Sequence, residues 1–133
     1  MTYVLDAHAL LWFLEGNPKL GASAKEILSN NQATFVLPCI ALAEVCRVIS
    51  QGRSSLKNVS DLLAAVRQDQ RISVMPLDMD VIERSLAPDL SSIKEMHDQL
   101  IVATGLLVAL HDTVKVVTSD RNIAGAGLLE VIW

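Results

Sequence analysis

Short apolar runs alternate along this chain with stretches whose apolar residues recur at helical spacing, and that alternation predicts most of the architecture. Residues 2–6 read as a strand, Tyr3-Val4-Leu5 closing on Asp6, and 8–15 as an apolar helix. Asn17-Pro18-Lys19-Leu20-Gly21 reads as a loop, 22–30 as a short helix, and Thr34-Phe35-Val36-Leu37 as a second strand. Pro38 suits the first turn of the next helix, which runs to about Gln51 and stops at Gly52. After a polar connection, Val59, Leu62, Leu63 and Val66 mark a helix over 58–70. Ile72-Ser73-Val74-Met75 is a third strand ended by Pro76, and Asp78 caps a helix through Leu86. Pro88 to Ser92 reads as a loop, and a long helix covers about 95–111. Val114-Lys115-Val116-Val117 is a fourth strand, Asp120 to Ala124 a helical turn, and 129–132 a last short strand.

Strands that alternate with helices imply parallel pairing and right-handed crossovers. The expectation is an α/β protein: a three-layer α/β/α domain over 1–133 with a mostly parallel sheet of about five strands. Ligands of such sheets bind in the crevice outside the carboxyl ends of the strands.

Composition narrows the function classes. Apolar residues are 51% of the 133 and mean hydropathy is +0.38, yet no apolar run reaches the ~18–20 residues that span a bilayer. No signal-peptide pattern opens the chain, so the expected location is cytoplasmic. The apolar excess points to a partner or dimer surface, expected on the 38–70 hairpin and on the first helix with Trp12, Phe13 and Leu14. A net charge of −4 argues against sequence-independent nucleic-acid coating but allows an enzyme that reaches nucleic acid through a cation. Cys39 and Cys46 lie two helical turns apart, ~10 Å of rise, too far for a disulfide. They are expected to be buried free thiols.

Four acids stand out. Asp6 and Asp120 come off the carboxyl ends of two strands; Asp6 also suits a helix cap, while Thr118 or Ser119 is expected to cap the last helical turn with Asp120 as an early-turn acid. Glu44 interrupts an apolar helix, with Arg47 and Gln51 extending a narrow polar stripe and Glu44–Arg47 as its expected ion pair. Asp98 lies in the first turn of the long helix, ahead of the apolar Leu100-Ile101-Val102-Ala103. If the first and fourth strands are neighbours at a switch point, all four converge on one crevice. Like charges there raise one another's pKa values, and a divalent cation relieves them. Carboxylate oxygens with water suit Mg²⁺ or Mn²⁺, and a metal-bound water attacking a phosphodiester fits that chemistry.

Four segments carry a resemblance: Val4-Leu5-Asp6-Ala7-His8-Ala9-Leu10-Leu11-Trp12, Ala43-Glu44-Val45, His97-Asp98-Gln99-Leu100-Ile101-Val102-Ala103-Thr104, and Val117-Thr118-Ser119-Asp120-Arg121-Asn122-Ile123. In order and spacing they resemble the PIN-domain family, and within it the VapC-type toxins of toxin–antitoxin pairs. The resemblance implies a Mg²⁺- or Mn²⁺-dependent endoribonuclease acting on structured RNA, usually a homodimer neutralised by a cognate antitoxin. It makes Asp6, Glu44, Asp98 and Asp120 the acidic metal site, with Asp6 and Asp98 nearest the ion, and makes Thr118 the hydroxyl that orients water or phosphate. Arg121 is placed to pair with Asp120 or to reach an RNA phosphate. Ala7 stands where many relatives carry Thr or Ser, and His8 matches an Asp-x-His subgroup. With aromatics at 4%, RNA is expected to be read through shape and phosphates rather than base stacking. Two other classes compete: a non-catalytic PIN-fold module acting through a protein partner, and a phospho-accepting receiver domain. The receiver pattern wants adjacent acids after the first strand and an Asp after the third; here the third strand ends Val74-Met75-Pro76.

Overall fold

A computed structural model describes all of residues 1–133. Five four- or three-residue strands form one all-parallel sheet: β1 Thr2–Leu5, β2 Phe35–Pro38, β3 Ile72–Met75, β4 Val114–Val117 and β5 Glu130–Ile132. Seven helices flank it: α1 Ala7–Glu15, α2 Ala22–Leu28, α3 Cys39–Ser50, α4 Val59–Gln68, α5 Met79–Ser85, α6 Met96–Val108 and α7 Arg121–Ala126. The strand order is β3-β2-β1-β4-β5. The first connections carry the chain outward from β1 to β3, and the last carries it outward from β4 to β5. The order therefore reverses between β1 and β4, which pair from Thr2–Val114 to Leu5–Val117. That is where a crevice opens in such sheets.

β1, β2 and β4 are apolar on both faces because helices cover both. Val4, Leu5, Phe35, Leu37, Val116 and Val117 are wholly buried there. The larger apolar cluster joins β1, β2 and β4 to α1–α4 and Ile101; a smaller one joins Val81, Leu90, Ile93 and Ile123 to Leu100, Val102 and Ala103 of α6. Gly105 lets α6 lie close to the sheet: a Cβ there would stand 2.6 Å from Leu129 Cδ1 and 3.6 Å from Val4 Cγ2.

Several element ends differ from their sequence expectation. Pro38 closes β2 rather than opening α3. α4 stops at Gln68 because Asp69 turns extended (ψ 104°) and gives its carboxylate to Arg71, with Oδ2 2.9 Å from the guanidinium. α6 stops at Val108, after which Leu110 and His111 bond three residues back and tighten the chain into β4. The segment after α5 is a 3₁₀ turn, Pro88–Leu90, rather than an open loop. The thiols also differ: Cys39 is exposed and Cys46 only half-buried, since both lie beside the buried stripe of Ala41, Val45 and Ile49 on α3.

Of the expected apolar surface on α1 Leu14 is exposed, and a larger exposed group lies elsewhere. Trp12 and Phe13 are half-buried, whereas Val74, Leu77, Met79, Ile82 and Leu86 gather exposed along the β3 edge and α5, Met79 at 79% and Leu86 at 76%.

Candidate active site

At the carboxyl end of β1, Asp6 leaves extended geometry (ψ 157°) and caps α1, its Oδ1 accepting the Ala7 N–H at 2.7 Å. Its other oxygen accepts the Thr118 hydroxyl at 2.5 Å. Thr118 follows β4, so the β1–β4 pairing brings two groups 112 residues apart into contact. The same hydroxyl oxygen accepts the Asp120 N–H at 3.0 Å, and Asp120 in turn caps α7 through Oδ1 to the N–H groups of Asn122 and Ile123. Asp6 is a cap, as its position suggests; α7 is capped by Asp120 rather than by Thr118 or Ser119, because the Thr118 hydroxyl is engaged with Asp6 and the Asp120 N–H, and the shared Thr118 ties the two caps together. Thr118 N–H donates to Ile132 O at 3.2 Å, which fixes β5 to the same corner.

The other two acids reach this corner from helices. Asp98 sits in the first turn of α6, with its side chain only 6% exposed. Its carboxyl is pushed up to about 6, first of all by burial. Asp120 contributes next, His97 opposes, and Asp6 and Glu44 add smaller pushes in the same direction as Asp120. All three other acids thus lie within electrostatic reach of Asp98. Glu44 does not pair with Arg47, which points to solvent; its Oε1 lies 3.3 Å from His97 Nε2, and that nitrogen is 3.5 Å from Asp98 Oδ1. His97 was visible in the sequence only as a neighbour of Asp98, because its contact with Glu44 depends on how α3 and α6 cross. Arg121 is exposed at the first position of α7 and forms no ion pair with Asp120.

The four carboxylates share one field but not one ligand shell. No three Asp, Glu, His or Cys side chains stand close enough to hold a single ion as placed. The local contacts explain why: Asp6 and Asp120 are turned toward helix N–H groups, and Glu44 and Asp98 toward His97. Asp120 Oδ2, Asp98 Oδ2 and Glu44 Oε2 accept no hydrogen bond from the protein. An all-oxygen set of four carboxylates, three with a free oxygen, fits a hard divalent cation by its chemistry.

The sequence profile of the PIN domain matches residues 3–127. The chain belongs to the PIN domain family. Its fold is similar to those of several solved structures. VapBC2 from Rickettsia felis, bound to a DNA fragment from its promoter, aligns at a TM-score of 0.72 with 19% identity, covering 100% of this chain and 99% of that one. VapC20 of Mycobacterium tuberculosis, a sarcin–ricin loop cleaving toxin, aligns at 0.71 with 14% identity over 97% of this chain and 98% of that one. A toxin–antitoxin complex from Klebsiella pneumoniae aligns at 0.69 with 18% identity, 98% and 96% covered. No curated protein sequence matches this chain significantly. No helix of this PIN chain is long and apolar enough to cross a membrane.

Proposed function

We propose that this PIN protein is a Mg²⁺- or Mn²⁺-dependent endoribonuclease, that residues 1–133 form its one nuclease domain, and that it is the toxin of a cytoplasmic toxin–antitoxin pair. The observation that carries the nuclease reading is Asp98: its carboxyl, at a strand-order reversal, is pushed up to about 6 by burial and then by Asp120, Asp6 and Glu44, a charge that a bound cation would relieve. A bound Mg²⁺ or Mn²⁺ would activate water and stabilise charge on phosphate oxygens. Asp98 and Asp6 would hold it most directly, with Asp120 and Glu44 completing the set. Thr118 fixes Asp6 and the Asp120 backbone at once, so it positions the acids rather than meeting the ion. Arg121, exposed beside Asp120, is free for an RNA phosphate. The fold of solved toxin–antitoxin proteins supports a cognate antitoxin as partner. The exposed apolar edge of β3 and α5 supports a homodimer, and a monomer at high concentration in solution would remove that part.

Calorimetric titration with Mn²⁺ tests the metal site without relying on turnover. Saturable binding that is lost in Asp98→Asn supports the reading; wild type that takes no ion favours the non-catalytic module. Thr118→Val tests the positioning role. The isosteric change leaves Asp6 Oδ2 and the Asp120 N–H each short of a partner inside a buried site. Mn²⁺ affinity is expected to fall roughly 10- to 100-fold, and stability by about 1–3 kcal/mol. Thr118→Ser restores both. Unchanged affinity in Thr118→Val would show that Asp6 needs no such support.

A further inference from the structure

Both tryptophans of the chain meet in one strip whose two ends are joined through the backbone to residues of the acidic corner. The His8 and Trp12 rings lie 5.1 Å apart between centroids, and Trp12 and Trp133 lie 5.7 Å apart, edge to face. Lys19 Nζ is 5.8 Å from the Trp12 centroid. His8 is exposed, and both indoles are half-buried, so each is anchored in the core along one side and open along another.

The chain holds the two ends of this strip to the site. His8 is the second residue of α1, the helix that Asp6 caps. Trp133 follows Ile132, whose carbonyl accepts the Thr118 N–H, and Thr118 is the group bound to Asp6. Gly21 makes the seat for Trp133: a Cβ there would come within 2.4 Å of the Trp133 carbonyl carbon and 2.6 Å of its ring.

We propose that His8, Trp12 and Trp133, with Lys19 beside them, form a platform for an unpaired base of single-stranded RNA next to the acidic crevice. The proposal deepens the nuclease reading and rests on it for the identity of the ligand. An aromatic face accepts any base, and such stacking needs no base-specific hydrogen bonds. Lys19 supplies a cation for the adjoining phosphate in a chain whose net charge is −4. This runs against the expectation that a 4% aromatic content leaves stacking a minor part: two of the five aromatic residues are concentrated here, with His8 extending them.

The two tryptophans are also the reporters. Intrinsic tryptophan emission is followed while a short single-stranded RNA of mixed sequence is added, with Mg²⁺ present, to Asp98→Asn protein. That background removes cleavage on the proposed reading and one repelling charge on any reading. Saturable quenching is expected, with duplex RNA of the same sequence without effect. His8→Ala, at an exposed position that keeps both reporters, is expected to weaken binding roughly 5- to 100-fold. Gly21→Ala, which unseats Trp133, is expected to do the same, while the exposed His111→Ala binds as the background does. Absence of quenching, equal quenching by duplex, or unchanged affinity in His8→Ala each overturns the platform. The two failures separate: cleavage by wild type without quenching removes the platform alone, and quenching with no cleavage by wild type removes the nuclease alone.

Discussion

Replacing Asp98 by asparagine is expected to make the cation-free protein more stable at neutral pH while abolishing cleavage. The carboxyl rises from 3.8 to about 6 on folding, first through burial and then through Asp120. The folded state therefore holds the proton more tightly than the unfolded chain. Asp98 costs nothing below pH 4, and the stability present there is lost as pH rises through about 6. At about 1.36 kcal/mol per pH unit the ceiling is ~3 kcal/mol at pH 7.5. Asparagine forgoes the favourable charge at the start of α6, about 0.3–1 kcal/mol. A net gain of ~1–2 kcal/mol remains, or roughly 4–8 °C in melting temperature. Melting curves from pH 4 to 8 in EDTA check this: the gap between wild type and variant should open as pH rises through about 6. Adding Mg²⁺ should narrow the gap from the wild-type side, since an ion that binds only the folded state stabilises it. A variant less stable than wild type at pH 7.5 without cations would show that the charge is already compensated within the protein.

Phe35→Ala is expected to have the largest effect on the fold itself. The ring is wholly buried on β2, 6.0 Å from the Tyr3 ring on β1, with the Arg71 guanidinium over it at 5.2 Å. Arg71 is held there by Asp69 and by the carbonyls of Leu28 and Asn30, so it cannot follow a smaller side chain inward. The cost is about 3–5 kcal/mol, a large part of the ~5–15 kcal/mol that stabilises a domain. Chemical denaturation measures it directly. Val74→Ala, at an exposed site on the edge strand β3, should change stability by less than ~0.5 kcal/mol. A comparable loss at both positions would place the core elsewhere.

Most of the fold was legible because its signals are local. Four-residue apolar strands, caps at Asp6 and Asp78, and the stop at Gly52 each act within one turn of chain. The β1–β4 pairing, on which the meeting of the acids depends, was legible only as a condition, because parallel order is set by crossovers and not by the strands themselves. Side-chain partners were the least legible. Glu44 finds His97 across two helices rather than Arg47 on its own, and Trp12 finds Trp133 from the far end of the sequence. Helical spacing cannot show either contact. The thiols illustrate the same limit: an apolar run reads as buried throughout, yet only one stripe of α3 faces the core, and Cys39 lies off it.

The most direct measurement of the central claim is cleavage of a small-RNA pool by purified protein under Mn²⁺, Mg²⁺ and EDTA, with Asp6→Asn prepared in parallel to exclude contaminating nucleases. Asp6→Asn keeps an oxygen for the Ala7 N–H but puts an NH2 where Oδ2 accepted the Thr118 hydroxyl, so a melting curve of the variant accompanies the assay to show that it is folded. Discrete cuts are expected that need the divalent cation and disappear in Asp6→Asn. Cuts that persist in EDTA or in the variant would contradict the metal-dependent nuclease, and so would a protein that neither cleaves RNA nor binds Mn²⁺.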